Sequence, residues 1–304
     1  MLVCIGEILA DMIGEEKNGV TTYERKAGGA PFNVACALKK FGADVKFVGS
    51  VGDDLIGRFL IKYAEDFGMD TTYIHQNTER NTTLAFVELN EEGDRSFCFY
   101  RKNTADYCMP KVSDELIGSA DIVCIGSLML ADESCVDYAL EIIRRAHSFG
   151  KTVAFDVNYR TDIFRDTESA TETYKKILAE SDIVKFSEDE VEIFTEDYVN
   201  SLTDKLVLIT LGKNGSEWRY KGKRNAVPTI TVKPVDTTGA GDAFFAGALS
   251  VIDKKVGMPL TEQVLNESLR FGNIAGALNT TGRGAIDNLP GLDTVNENLN
   301  KINI

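Results

Sequence analysis

Only six prolines and no serine–glycine tract punctuate the 304 residues, so nothing marks a border between independently folding units. The six cysteines, Cys4, Cys36, Cys98, Cys108, Cys124 and Cys135, show no C-x-x-C spacing. Cys4, Cys98 and Cys124 lie inside apolar runs, which predicts buried, reduced thiols in a cytoplasmic protein. Positive charge is also short. Against 47 acidic residues stand 33 Lys and Arg, and the net charge of −14 argues against a nucleic-acid partner. An anionic nucleotide remains compatible, given locally placed cations or a metal. No apolar run approaches the length of a bilayer span, and the opening MLVCIGEILADMIG lacks the basic start of a signal peptide. His75 and His147 are far apart and read as surface or packing residues, which disfavours His-based catalysis and His-ligated metal.

Familiar phosphate motifs are missing too. The chain has no G-x-x-x-x-G-K-[ST], which excludes a P-loop enzyme, and no G-x-G-x-x-G after its first apolar run. A nicotinamide dehydrogenase is therefore disfavoured.

What is present is an ordinary globular composition, 43% hydrophobic and 26% charged. Short Val- and Ile-rich runs at 2–6, 45–49, 121–126, 152–157, 182–186 and 205–212 suit strands buried on both faces. Amphipathic segments at 31–41, 54–67 and 134–149 end at Gly42, Gly68 and Gly150, the expected residues just past a helix end. This alternation predicts a doubly wound α/β sheet with right-handed crossovers. One stretch breaks the rhythm. TTLAFVELNEEGDRSFCFYR (82–101) reads as an antiparallel hairpin turning at Asn90–Gly93, and GVTTYERKAGG (19–29) is a candidate to join it in a small projecting sheet. Period-two alternation puts Phe97, Phe99 and Arg101 on one face of the second strand.

In open α/β sheets ligands bind beyond the carboxyl ends of the strands. Unusual polar residues collect there: Glu7 and Asp11, then Asn158, Tyr159 and Arg160, then Lys185, Ser187 and Glu190, then Gly212 to Gly215. The most pointed stretch is DTTGAGDAF (236–244). A glycine turn opening a helix favours anions, yet an acid, Asp242, follows directly. Either the turn holds a transferring phosphoryl group while Asp242 takes a proton from the attacking hydroxyl, or Asp242 is a first-turn acid favoured by the helix dipole. The local sequence leaves both open.

The tie breaks on a resemblance. DTTGAGDAF resembles the C-terminal signature of the ribokinase-like (PfkB-type) carbohydrate kinases, and AGGAPFNVACALKKFG (27–42) resembles their N-terminal signature. The two lie in the expected order about 200 residues apart, and the likeness covers nearly the whole chain. GEILAD (6–11), the 82–101 hairpin, DVNYR (156–160), KFSEDE (185–190), TLGKNG (210–215) and GRGAIDNLP (282–290) look most like the fructokinases of that family.

The resemblance implies one Rossmann-like α/β/α sandwich over 1–304, with a β lid formed by about 12–28 and 72–104, and ATP-dependent phosphorylation of a sugar, best matched by D-fructose. By matching position, Asp242 is the catalytic base, with Gly239, Ala240 and Gly241 as its anion hole. Asp11, Gly28, Gly29 and Asn33 would hydrogen-bond the sugar, and Arg101 and Arg160 would reach the sugar or its phosphate. Without the resemblance, the reading of Asp11 and Asn33 as caps is the preferred one, Asn33 in particular lying at a helix start. Lys185, Thr210, Gly212, Gly215 and Gly241 would border the ATP phosphates and ribose, with Phe271 to Asn273 near adenine. Glu190 would organise hydrated Mg²⁺. Asp236, Thr238, Asn279, Gly282 and Gly284 match a loop that binds K⁺ in many relatives. The family's ribokinase branch has Asn where Ser187 stands, so that Asn role is not carried over.

Apolar residues of the lid, Leu84, Phe86, Val87, Phe97 and Phe99, suggest a homodimer through it, the alternative being that they pack over the sugar. The alternatives are a 2-keto-3-deoxygluconate kinase whose two arginines clasp a carboxylate, a riboside kinase of the same family, and a catalytically silent sugar-binding regulator. A soluble cytoplasmic location is expected.

Overall fold

The computed structural model describes residues 1–89, 95–160, 163–164 and 166–302. The turn expected at Asn90–Gly93 and the side chain of Phe97 lie outside the described residues. In chain order the strands are β1 (Leu2–Ile5), β2 (Leu9–Lys17), β3 (Val20–Gly28), β4 (Val45–Gly52), β5 (Ile74–Asn77), β6 (Leu84–Leu89), β7 (Arg95–Tyr100), β8 (Ile122–Ile125), β9 (Thr152–Asp156), β10 (Ile183–Ser187), β11 (Leu206–Thr210), β12 (Ser216–Tyr220) and β13 (Lys223–Val227). The helices are α1 (Ala30–Lys40), α2 (Leu55–Asp66), α3 (Asp114–Ser119), α4 (Glu133–Ser148), α5 (Thr167–Glu180), α6 (Glu188–Phe194), α7 (Glu196–Ser201), α8 (Ala240–Asp253), α9 (Glu262–Asn279) and α10 (Leu292–Ile302).

A nine-stranded sheet runs in the order β13-β12-β11-β10-β9-β8-β1-β4-β5. From β11 to β5 its pairs are parallel, and β12 and β13 fold back antiparallel at one edge. Both faces are covered. Along β1, Leu2 and Cys4 enter one core with side chains of α1, α8 and α9, whereas Val3 and Ile5 enter a second core with α4 and α5. Burial on both faces is why these strands read as unbroken apolar runs. The expected three-layer α/β/α sandwich is what the chain forms.

Glycine closes the helices as anticipated: Gly42, Gly68 and Gly150 follow the caps of α1, α2 and α4 with φ of 77°, 80° and 67°. Asp54 opens α2 by accepting the Gly57 N–H at 2.7 Å, the kind of cap whose loss costs about 1 kcal/mol.

A second sheet has the order β3-β2-β6-β7. The 19–29 segment does join the hairpin, but through β2, a strand the hydrophobic pattern did not disclose. Ile74–Asn77 belongs instead to the edge of the large sheet, beside Gly49–Gly52 of β4, with Ile74 buried in the core. The expectation of a buried Cys98 is overturned: it is exposed, since one face of this small sheet is open. Cys4, Cys36, Cys124 and Cys135 are buried and Cys108 is intermediate, all as free thiols. Among the described residues no helix is long and apolar enough to cross a membrane.

The carboxyl ends of β1, β8, β9 and β10 reach one edge of the large sheet, where the chain leaves as Gly6–Glu7, Gly126–Ser127, Val157–Arg160 and Ser187. The helices that open beside this edge carry the site.

Candidate active site

Two glycine-opened helices converge there. Helix α8 begins at Gly239, left-handed at φ 73°, where an added Cβ would sit 2.7 Å from the Ala285 backbone. Helix α1 begins at Gly29, φ 107°, pressed against the Glu7 carbonyl, with Pro31 in its first turn. Neither start is closed by a capping side chain, but in α8 the Ala240 N–H, one of the expected anion-hole donors, is turned back to Thr237 O at 3.2 Å, so the N–H groups after it are the ones left to an anion. Gly241 and Asp242 lie in the first turn of α8.

Asn33 Nδ2 donates to Asp242 Oδ2 at 2.8 Å, joining the two signature segments across 209 residues. The cap reading of Asn33 is therefore not how its side chain is used. Its Oδ1 is buried without a protein partner, an acceptor open to a ligand hydroxyl. Burial raises the Asp242 carboxyl above its ordinary range, against the Asn33 hydrogen bond and the charges of Lys185 and Arg160.

Among the residues expected to hold a sugar, Asp11 projects from β2 onto Gly28, where any Cβ would collide with its carboxylate. Arg160 acts on Asp242 electrostatically, and its Nη1 donates to the Tyr159 carbonyl at 3.0 Å. Arg101 sits differently. Its guanidinium is buried, with Nε 2.7 Å from Asp106 Oδ2 and Nη1 donating to Leu128 O at 2.6 Å and Tyr107 OH at 2.7 Å. Only Nη2 lacks a partner. Arg101 thus ties the end of β7 to the main body.

Among the residues expected to border a nucleotide, Lys185 stands beside α8, its Nζ 3.3 Å from the place a Gly241 Cβ would occupy. The same ammonium is 2.8 and 2.9 Å from the two Asp156 oxygens. Against burial that opposes its charge, Asp156 and Glu190 hold Lys185 above its ordinary value, and burial lifts Asp156 to about 7. Asp156 was missed in the sequence, although a lysine in a two-face-buried strand demands a counter-ion and DVNYR supplies one in register on the next strand. Glu190 accepts the Tyr159 and Ser187 N–H groups at 2.6 Å each, the latter closing a capping box on α6.

Thr210 ends β11, and Gly212, exposed at φ 53°, opens the turn after it. Gly215, φ 96°, packs against the Val227 carbonyl. Asn273 donates to the Val227 and Pro228 carbonyls at 2.8 and 3.3 Å, so it fastens the end of β13 to α9. Phe271 is buried edge-on to Phe41 at 5.2 Å, part of the core behind that segment.

The 236–238 turn faces 279–285. Asp236 accepts from the Thr238 N–H at 2.7 Å and from the Gly284 N–H at 2.9 Å, and Asn279 Nδ2 donates to Thr238 O at 3.1 Å. Thr238 Oγ1 and Asn279 Oδ1 are buried without partners, two neutral oxygens of the kind that suits a weakly hydrated cation. Gly282 packs against the Asn288 side chain. A cavity of about 930 Å³ lies at the opposite ends of the strands, lined by Thr152, Asp182 and Leu206, and contains none of these residues.

Glu7 is fully buried directly after β1, and neither carboxylate oxygen has a hydrogen-bond partner. Burial pushes it up to about 8, opposed by Arg101 and assisted by Asp106 and Asp242. The folded protein therefore holds a proton that the unfolded chain releases near 4.5, so stability falls as pH rises from about 4.5 to about 8. Glu7→Gln is expected to gain stability over the parent at pH 8 and to lose that advantage by pH 5. Urea midpoints across this range test it, and a pH-independent difference would count against a neutral Glu7.

Residues 1–292 match the pfkB family carbohydrate kinases. Fructokinase-1 of Zea mays is 36% identical over 305 residues, covering 95% of this chain and 94% of that protein, and Fructokinase-1 of Oryza sativa subsp. japonica is 35% identical over 305 residues with the same coverage. The ATP-bound fructokinase structure from Xylella fastidiosa superposes with TM-score 0.93 at 29% identity, over 100% of this chain and 99% of that one. A fructokinase from Vibrio cholerae O395 with fructose, ADP and calcium ion superposes at 0.87, with 28% identity over 97% of both chains. The chain belongs to the pfkB family of carbohydrate kinases.

Proposed function

We propose that the protein transfers the γ-phosphoryl group of ATP to D-fructose, giving fructose 6-phosphate. The observation that carries this reading is the 2.8 Å bond from Asn33 to Asp242, which sets a half-buried carboxylate of the anion-hole helix against the sugar-side helix. Asp11, the Gly28–Gly29 backbone and Asn33 Oδ1 orient the sugar. The Asp242 carboxylate takes the proton of the attacking hydroxyl. Charge on the moving phosphoryl oxygens meets the N–H groups of Gly239 and Gly241 and the Lys185 ammonium, whose link to Asp156 keeps it charged. The fructokinase relatives, one of them solved with fructose and ADP, support fructose as acceptor.

Mg²⁺ supplies neutralisation of the triphosphate. Glu190 uses one site on each oxygen for a backbone N–H, so it would hold the metal through water. K⁺ would rest on the Thr238 and Asn279 oxygens beside Asp236. The small sheet would act as a lid that excludes water. Its two faces divide the work. Ala85 and Phe99 pack toward Leu128, while Phe86 lies between Tyr23 and Tyr100 at 5.0 and 5.2 Å on the other face. Tyr100 is 63% and Val20 61% exposed, apolar surface that a second copy would cover. A cytoplasmic setting suits the free thiols.

The test is a panel of kcat/KM values with ATP for fructose, ribose, 2-keto-3-deoxygluconate and nucleosides. Fructose is expected to be the best acceptor, and no turnover of fructose overturns the assignment. A carboxylate-clasping keto-acid kinase is the weaker reading, because Arg101 is already engaged by Asp106 and Leu128.

A further inference from the structure

The site's two halves sit on different parts of the fold. Asp11 and Gly28 come from the small sheet, whereas Gly239 to Asp242 come from the main body. One carboxylate reaches both. Asp287 Oδ2 lies 2.8 Å from Lys26 Nζ, and its Oδ1 accepts from Tyr63 OH of α2 at 2.7 Å. Lys26 is the cross-strand partner of Asp11 and lies two residues before Gly28. Beside it, Arg25 stacks over Phe59 of α2 at 3.9 Å. At its other end, the Asp287 segment supports the anion hole. Ala285 forms the surface against which Gly239 packs, and the Gly284 N–H holds Asp236 at 2.9 Å.

We propose that Asp287, through Lys26 and Tyr63, is a positioning residue that fixes the sugar-holding strand relative to the anion-hole loop. The proposal rests on the kinase reading above and adds the element that aligns acceptor with donor. Stability alone explains little of the network. The Lys26 and Asp287 side chains are 24% and 37% exposed, and ion pairs so open to water contribute about 0–1 kcal/mol. Their placement is what matters. In a phosphoryl transfer that depends on positioning, a displacement of about 1 Å costs up to roughly a hundredfold in rate.

Asp287→Asn and Lys26→Met are expected to lower kcat about tenfold each, with KM for fructose and for ATP nearly unchanged, since each half still binds its own substrate. The double variant is expected to be no slower than either single one, because the two act as a unit. Tyr63→Phe is expected to give a smaller loss in the same direction. A fall in thermal midpoint with kcat per folded molecule unchanged would reveal a mere brace and overturn the proposal. Additive losses, or unchanged kcat in both single variants, also overturn it. If Asp287→Asn folds poorly, Lys26→Met and Tyr63→Phe carry the test. Turnover of fructose by the parent enzyme is measured first. Its failure refutes the fructose assignment, and the cycle is then run on whichever sugar is turned over.

Discussion

Replacing Asp242 by Asn is expected to lower kcat by about 10²–10⁴-fold, the usual range for removal of a general base. The amide matches the carboxylate in shape and still offers an oxygen to Asn33 Nδ2, so the two helix starts stay joined. Asp11, Gly28 and Gly29 are untouched, and fructose affinity by calorimetry is expected to change little. A loss confined to kcat separates a group used in the transition state from one that only holds substrate. Two pH effects accompany it. Because burial raises the Asp242 carboxyl, the acid limb of kcat/KM in the parent is expected above the ordinary carboxylate range, and the variant is expected to lack it. For stability, a raised acid in the folded state binds a proton that the unfolded chain has released. Its contribution is therefore present at low pH and lost as pH rises past 3.8 through the raised value, so the Asn variant is expected to melt higher at neutral pH. Undiminished turnover in Asp242→Asn would remove this residue from its assigned role.

Gly239→Ala is expected to be nearly as damaging for a different reason. The left-handed φ of 73° costs an alanine about 1–2 kcal/mol. The added Cβ also meets the Ala285 Cα and Cβ at 2.7 Å and its carbonyl oxygen at 2.9 Å, and backbone offers no rotamer by which to yield. The start of α8 must then shift, carrying the Gly239 and Gly241 N–H groups away from the place proposed for the phosphoryl oxygens. A kcat loss of about 10²–10³-fold is expected, in line with removal of an oxyanion-hole donor. Gly150→Ala, after α4 and away from the site, provides the control. Its φ is also positive at 67°, but no atom lies within 4 Å of the new Cβ, so backbone strain appears there without a collision. Equal activities of the two variants would contradict the packing argument.

Legibility in the sequence followed the physics of each element. The central parallel strands could be read because both of their faces are buried, which turns them into continuous apolar runs. Strand β2 could not: in LADMIGEEK the apolar residues do not alternate cleanly, and its form is set by pairing with β3 and β6. The β12–β13 hairpin also escaped notice, although Lys221 and Gly222 at φ 50° and 74° make the two-residue turn that antiparallel strands favour. At the site, glycine signatures exposed Gly239 to Asp242 because a tight turn permits few residue types. The Lys185–Asp156 pair escaped because sheet register, invisible in one sequence, brings the two together, and the burial of Arg101 escaped because the turn at Ala105–Tyr107 folds Asp106 back onto it.

The placement of β1 between β4 and β8 has a consequence for how the chain is made. Its partner on one side, Val45–Val48, follows soon, but on the other, Ile122–Ile125, it comes much later. At about 5–20 residues per second, the first strand waits on the order of ten seconds on the ribosome before its second edge is paired. During that interval Leu2, Val3, Cys4 and Ile5, which end wholly inside the molecule, have one open strand edge. Refolding of the full chain is accordingly expected to be slow, its rate set by closing this long-range pairing.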